Sequence, residues 1–378
     1  MYSRIGFVST MGGVPWAGSE CLWHAAAMRL LQQGYQVHAN VQEWKPQPSP
    51  IGKLKDASAM VTERSLFQGL SGRLRRRLSD PHVWVQTSGC DLVVISQSCL
   101  DGVSWGEACR QRDIPYAIIF QVAAEWYWPD EADAEIAREV LSTAKALYFV
   151  SSGNRDLIER QLGIALPNAK IVRNPYGVSY KEPFAWPSND EGLRLACVGR
   201  LDARHKGQDL LLTALGDGWF GRNASIVFFG VGSNEAELKR LANLRCRIPV
   251  KFAGHVHDIA AIWRIHHAMV LTSRVEGMPL AAVEAMMCGR PCLLTDVAGN
   301  SELVRDGVDG FIAEAASVCS VTKTLERLWD QRGQLETMGR QAYARVHTLF
   351  PSDPGSAFAN DLIGLLEQSP AIRLASEG

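Results

Sequence analysis

Two carboxylates eight residues apart, Glu276 and Glu284, flank the start of an apolar segment within residues 273–291, SRVEGMPLAAVEAMMCGRP. The apolar run 268–272 before them reads as a buried strand, and Leu280–Met287 after them is a run of strong helix formers. Pro279 fits the first turn of that helix, where its missing N–H costs nothing. Leu280, Ala281 and Ala282 then offer free backbone N–H groups at a strand-to-helix junction, which suits a diphosphate. Glu284 falls about 7 to 8 Å further along at 1.5 Å per residue, where a ribose attached to those phosphates would lie. A lone charge between Leu-Ala-Ala-Val and Ala-Met-Met-Cys is costly unless something hydrogen-bonds it, and ribose hydroxyls are good donors. Glu276, in the loop, is left to face a sugar on the other side. By spacing alone the segment also reads as an ordinary strand, loop and helix with two solvated glutamates.

A diphosphate needs cations, and two stand in suitable places. Arg200 follows directly on the apolar run ending Cys197-Val198-Gly199, at the carboxyl edge of a strand, where open α/β folds bind ligands. Lys206-Gly207 precedes a helical pattern over 208–215. A lysine just before a helix N-terminus opposes the helix dipole, and an anion between the two removes the conflict. Taken singly, both also read as solvated loop cations. Glycines recur at strand ends: Gly230 and Gly232 in Phe228-Phe229-Gly230-Val231-Gly232, and Gly12, Gly13 and Gly18 in the loop 10–20, permitting close backbone approach to a ligand. A G-x-G-x-x-G dinucleotide fingerprint is absent. His255 with His257 and His266 with His267 lack the cysteine or carboxylate that would complete a metal set, so no metal and no cofactor is expected.

Glu276-Gly277-Met278-Pro279-Leu280, Glu284-Ala285-Met286 and Gly289-Arg290-Pro291 together resemble the E-x7-E block of family 4, the retaining glycosyltransferases of the glycogen-synthase-like superfamily. The order of the other motifs agrees with that family over nearly the whole chain. The resemblance implies a GT-B fold, with two Rossmann-like α/β domains facing across a cleft and a C-terminal helix returning to the first. It implies metal-independent transfer, with retention, from a nucleoside diphosphate sugar, UDP-sugar favoured, to a hydroxyl acceptor in glycan, glycolipid or natural-product glycoside biosynthesis. Arg200, Lys206 and Glu276 are then the catalytic group: the two cations clamp the diphosphate and the glutamate holds the sugar hydroxyls. Glu284 holds the ribose, His255 and Val256 mark where the base is held, and Gly199 with Gly277, Met278, Pro279 and Leu280 completes the donor loops.

Two departures from the family pattern carry weight. Residues 16–20 resemble its G-G-x-E loop with Ala17 in place of the first glycine, and Gln121 stands after the strand 116–120 where many relatives carry histidine. Glutamine hydrogen-bonds a sugar hydroxyl but is no base near neutral pH. No general base is therefore carried over, and the protein's share of catalysis is electrostatic stabilisation of the leaving diphosphate. Gln121, Glu125, Trp126 and Trp128 are the acceptor-side candidates, the tryptophans by stacking on a sugar or aglycone, although they read equally as core or interface. Two alternatives stay open: a degenerate protein that binds a sugar nucleotide without transferring it, and a GT-B epimerase or phosphorylase.

The elements that must position these residues follow from length and pattern. At 378 residues, with 47% hydrophobic and 21% charged, the chain suffices for two soluble domains, each with its own core. A net charge of −1 argues against general affinity for nucleic acid. Strand candidates 5–9, 36–41, 91–96, 116–120, 147–150 and 170–172 alternate with helical patterns, including one over 19–33 with Ser19 as cap and Gly34 as stop. Asn174-Pro175 and the Pro- and Asp-bearing stretch 183–192 read as a linker, beyond which the alternation restarts at 193–198, 225–229, 250–252, 269–272, 291–295 and 310–312. The expected division is an acceptor domain, 1–185, with 350–378 packed back through Phe358, Leu362, Leu365 and Leu366, and a donor domain, 186–349. Nine cysteines spread singly point to a reduced, cytoplasmic compartment. Neither a signal peptide nor a membrane-length apolar run is evident. Arg73, Arg75, Arg76 and Arg77 form one basic cluster, which reads as a solvated face or as a peripheral contact with an anionic membrane.

Overall fold

The computed structural model describes residues 3–65, 80–179, 181–188 and 190–368. The chain forms two compact units: residues 1–175 with 353–378, and residues 176–352. The basic cluster at Arg73–Arg77 lies outside the described residues.

The first unit is built on a seven-stranded sheet, β1 (Arg4–Ser9), β2 (Gln36–Gln42), β3 (Met60–Arg64), β4 (Leu92–Ser98), β5 (Tyr116–Val122), β6 (Ala146–Phe149) and β7 (Lys170–Ile171). Its order is β3-β2-β1-β4-β5-β6-β7 with every pairing parallel. Parallel strands covered on both faces read as continuous apolar runs, which is why β1, β4 and β5 stand out in the sequence. One face carries Leu22, Trp23, Ala26 and Leu30 of the helix Gly18–Gln32, and the other Trp84, Trp105, Tyr116, Val140 and Phe149. The edge strand β3 escaped the pattern: its residues Met-Val-Thr-Glu-Arg are mixed and none is buried.

The C-terminal helix Pro354–Glu367 packs on the first unit, with Phe358, Leu362 and Leu366 buried against the face that holds Trp23. Tyr148 and Lys170 tie it down by donating to Asp361, the lysine at 2.7 Å. The helix Gly18–Gln32 corrects one expectation. Ala17, in extended conformation, is its N-cap, and the Ser19 hydroxyl lies inside the first turn, buried and with no partner among the described residues. Gly34 does end it: at φ 89° it lets the Tyr35 N–H return to the Leu30 carbonyl at 3.0 Å.

The second unit holds a six-stranded sheet, β8 (Leu193–Val198), β9 (Ala224–Phe229), β10 (Val250–Gly254), β11 (Ala268–Leu271), β12 (Cys292–Thr295) and β13 (Gly310–Ala313). Its order is β10-β9-β8-β11-β12-β13, again with every pairing parallel. The segment after Pro175 belongs to this unit and is bound to it. Phe184 N–H donates to the Cys288 carbonyl at 3.2 Å, and Arg290 grips the carbonyls of Phe184 and Ala185. Among the described residues no helix is long and apolar enough to cross a membrane.

Candidate functional site

In an open parallel sheet, ligands bind beyond the carboxyl ends of the strands where the strand order reverses. In the second unit that point lies between β8 and β11, which are neighbours with β9 and β10 on one side and β12 and β13 on the other. Arg200 and Lys206 follow β8, and Glu276 follows β11. The topology thus brings both cations and the first glutamate to one sheet edge.

Backbone contacts sew the two loops together. Gly207, at φ 63°, lies so close to the end of β11 that a Cβ there would stand 1.9 Å from the Thr272 carbonyl oxygen. The Thr272 hydroxyl donates to the Gly207 carbonyl at 2.7 Å, and the His205 carbonyl accepts from Arg274 N–H at 2.8 Å. Arg274 adds a bidentate pair to Asp209 at 2.7 and 2.8 Å. Gln208, fully buried, donates from Nε2 to the Arg200 carbonyl at 2.6 Å.

Lys206 stands, as expected, just before the N-terminus of a helix, Gln208–Ala214. It is also the last residue of a short helix, Ala203–Lys206, so its charge favours that helix dipole. The anion that faces it is internal: Nζ donates to Glu276 Oε1 at 2.6 Å. Ser273 Oγ donates to the same oxygen at 2.6 Å. Glu276 is 6% exposed, and among the described residues no donor reaches Oε2. Arg200 is half exposed, with Asp202 at 3.6 Å. Asp202 also caps the short helix and accepts from His205 Nδ1 at 2.8 Å.

The helix Leu280–Met287 forms as expected, but Pro279 is its N-cap rather than part of its first turn. The Ala282 N–H is therefore used, donating to the Pro279 carbonyl at 2.9 Å. The N–H groups of Leu280 and Ala281 meet no acceptor among the described residues and are left for an anion. Gly277 and Met278, buried ahead of them, shape the loop, and the Gly277 carbonyl accepts from Gly299 N–H at 3.1 Å. Glu284 is 9% exposed, and its Oε1 accepts from the Gly177 N–H at 2.7 Å. Burial pushes its carboxyl up to about 7 despite that hydrogen bond.

Gly230 and Gly232 meet a demand of the fold itself. A Cβ at Gly230 would stand 2.0 Å from the Gly199 carbonyl oxygen, and one at Gly232 2.3 Å from that of Leu201. His255 and His257 are exposed and pack edge to face, and Val256 is half-buried. His266 and His267 bond backbone: His266 Nδ1 donates to the Ile262 carbonyl at 2.7 Å, and His267 Nδ1 accepts from Arg194 N–H at 3.0 Å. Burial lowers both imidazoles, His267 to about 4. Among the described residues no group of three or more His, Cys, Asp or Glu is placed to hold a metal.

The first unit has its own order reversal, between β1 and β4. The loop after β1 carries Gly12 and Gly13, exposed and with no contact that forbids a side chain, while Gly18 opens the helix that follows. Gln121 is not open to a ligand as expected. It is buried, its Oε1 accepts from Asn174 Nδ2 at 2.9 Å and its Nε2 donates to Ser96 Oγ at 3.4 Å. Trp126 and Trp128 are 47% and 58% exposed, so neither is core, and Glu125 pairs with Arg160 at 2.7 Å. Glu20, whose helix is identifiable from its pattern but whose burial is not, sits nearby with its carboxyl pushed up to about 7 by burial. It accepts from Trp23 Nε1 at 3.1 Å.

Glu20 and Glu284 set a pH dependence with a definite sign. A carboxyl whose folded value exceeds its unfolded value binds more protons when folded, so stability is lost as pH rises from the ordinary glutamate range through about 7. Glu284→Gln removes one of the two ionisations. Its melting temperature relative to wild type is expected to climb from pH 5 to about pH 7 and then level off, and a difference independent of pH would show that Glu284 titrates normally.

Residues 192–331 match the family model described as Glycosyl transferases group 1, so the second unit carries a domain of that kind. D-rhamnosyltransferase WbpZ of Pseudomonas aeruginosa is 30% identical over 151 residues, 39% of either chain. The UDP-Gal:alpha-D-GlcNAc-diphosphoundecaprenol alpha-1,3-galactosyltransferase of Escherichia coli is 32% identical over 107 residues, 28% of either chain. The chain thus spans well under half the length of these curated relatives. Likeness to solved structures is wider. Anabaena Alr3699/HepE in complex with UDP-glucose superposes with a TM-score of 0.75 at 18% identity, over 96% of this chain and 100% of that one. Sucrose-phosphate synthase from Thermosynechococcus elongatus does so with a TM-score of 0.72 at 18% identity, over 97% and 98%. At these identities the likeness concerns the fold, and the fold is GT-B.

Proposed function

We propose that the protein is a retaining glycosyltransferase of family 4, moving a sugar from a nucleoside diphosphate sugar to a hydroxyl acceptor without a metal. The observation that carries this reading is the convergence at the β8/β11 edge. Lys206 meets Glu276 there, and Arg200 together with the N–H groups of Leu280 and Ala281 is available to an anion. Arg200 and Lys206 stabilise negative charge on the departing diphosphate, and the helix N–H groups add to them at no cost in reorganisation. Glu276 receives the sugar hydroxyls and Glu284 the ribose. With Gln121 locked by Asn174 and Ser96, no base is assigned, and the leaving phosphate takes the acceptor proton.

The names UDP-Gal transferase and UDP-glucose complex, attached to relatives of this chain, support a uridine donor. The acceptor is read as a hydroxyl-bearing molecule that meets Trp126 and Trp128. One observation favours a second reading, a protein that binds the donor without transfer: both ends of the Gln121 amide are already engaged.

A thermal-shift panel of UDP, GDP, ADP and their sugars tests the donor site. A ligand present at 100 times its dissociation constant adds about 2.7 kcal/mol of stability, and a uridine nucleotide is expected to give the largest shift. No shift with any nucleotide would refute the reading. Transfer assayed in EDTA, with the product anomer assigned by NMR, then separates a retaining transferase from a binding protein.

A further inference from the structure

We propose that Ser273 is a positioning residue for Glu276, and that it becomes the principal anchor of that carboxylate when Lys206 turns to the donor diphosphate. The inference rests on the donor site proposed above. Lys206 Nζ and Ser273 Oγ both stand 2.6 Å from Glu276 Oε1, while no described donor reaches Oε2. The carboxylate is thus divided, with one oxygen held by the protein and the other left for a ligand.

The two donors on Oε1 are not equivalent. Lys206 sits on a flexible four-carbon stem and carries a compact charge, so a bound diphosphate, with more negative charge than one carboxylate, draws it away from ideal geometry at Oε1. Ser273 is fully buried, three residues from Glu276, and its hydroxyl has no other acceptor among the described residues. Its backbone is fixed in turn. The Thr295 hydroxyl donates to the Ser273 carbonyl at 2.6 Å, and Asn300 Nδ2 donates to the Thr295 carbonyl at 2.8 Å, both residues being fully buried. A hydroxyl that cannot follow the diphosphate keeps Oε2 aimed at the sugar while the lysine is engaged elsewhere. A serine placed merely to satisfy its own hydroxyl would have no need to share an oxygen that a lysine already occupies.

The test compares Ser273→Ala and Ser273→Thr with wild type. Calorimetry measures binding of UDP and of whichever of UDP-glucose, UDP-galactose and UDP-N-acetylglucosamine wild type binds most tightly, and donor turnover is followed with the same sugar nucleotide. Losing one hydrogen bond to a charged group is expected to lower kcat of Ser273→Ala about tenfold or more, with KM and UDP affinity within about threefold of wild type. Ser273→Thr is expected to recover most of the loss. Ser273→Cys keeps the volume with a poor donor and gives the same reading if the alanine variant does not fold. Unchanged kcat in Ser273→Ala, UDP affinity that falls as far as kcat, or no recovery with threonine overturns the positioning role and leaves the proposed function standing. A wild-type protein that binds neither UDP nor any of the three sugar nucleotides overturns both.

Discussion

Lys206→Ala is expected to lower turnover by about a hundredfold or more, the scale seen when one preorganised donor to a developing negative charge is removed. It is also expected to destabilise the second unit. Glu276 is almost fully buried, its Oε1 would keep only the Ser273 hydroxyl, and a buried charge that loses its partner costs about 3 kcal/mol. Partial exposure of Lys206 places the cost at the lower end of that range. The two losses are separable. Adding Glu276→Gln neutralises the orphaned carboxylate, so the double variant regains melting temperature while turnover stays low or falls further. A double variant as unstable as Lys206→Ala alone would mean that the pair contributes little to the fold. Turnover within threefold of wild type in Lys206→Ala would remove the lysine from the catalytic group.

Arg290→Ala is expected to have the largest effect on stability. The side chain is 1% exposed, and its guanidinium donates only to neutral carbonyls. These are Trp263 at 2.8 Å, Gly289 at 3.2 Å, Phe184 at 3.4 Å and Ala185 at 2.6 Å, and the Trp186 ring lies 5.2 Å away. Among the described residues no carboxylate hydrogen-bonds it, and burial lowers the guanidinium to about 10 although the charge of Glu336 opposes that shift. Truncation leaves those carbonyls unmet around a cavity, at about 3 to 5 kcal/mol. Arg290→Lys is expected to recover little, because one ammonium cannot span a fork that reaches four acceptors. The measurements are the urea midpoint of the unfolding transition and the rate of proteolysis in residues 183–187, which Arg290 holds to the sheet. A shift below about 1 kcal/mol, the scale of an ordinary surface substitution, would contradict this account.

Arg290 also shows where sequence reading stops. As part of Gly289-Arg290-Pro291 it was recognisable by resemblance, but nothing in its neighbours tells that it is buried and devoted to the linker. The sheets were legible because doubly covered parallel strands leave apolar runs. β8 was bounded to the residue, and so was the helix Leu280–Met287. β3 was not, since a short edge strand with Thr, Glu and Arg carries neither alternation nor a run. In the candidate site, Glu276, Glu284, Arg200 and Lys206 were singled out by type, spacing and resemblance. Their partners were not, because Ser273 and Gly177 are ordinary residues whose significance comes from a sheet edge assembled from distant strands. The helix Gln208–Ala214 does follow Lys206 as expected, but the helix Ala203–Lys206 before it, whose dipole the lysine favours, has only four residues and is too brief to show in periodicity.

The nested turns at the ends of β8, β9 and β11 change what an observer can conclude from related sequences. Gly207, Gly230 and Gly232 are required by carbonyl oxygens 1.9 to 2.3 Å from where a side chain would begin. A descendant of this protein that had lost its ligand would still have to keep them in order to fold. Their persistence therefore testifies to architecture and says nothing about activity. The informative positions are those the architecture leaves alone, such as Gly12 and Gly13, where no close contact among the described residues forbids a side chain, and the half-exposed Arg200.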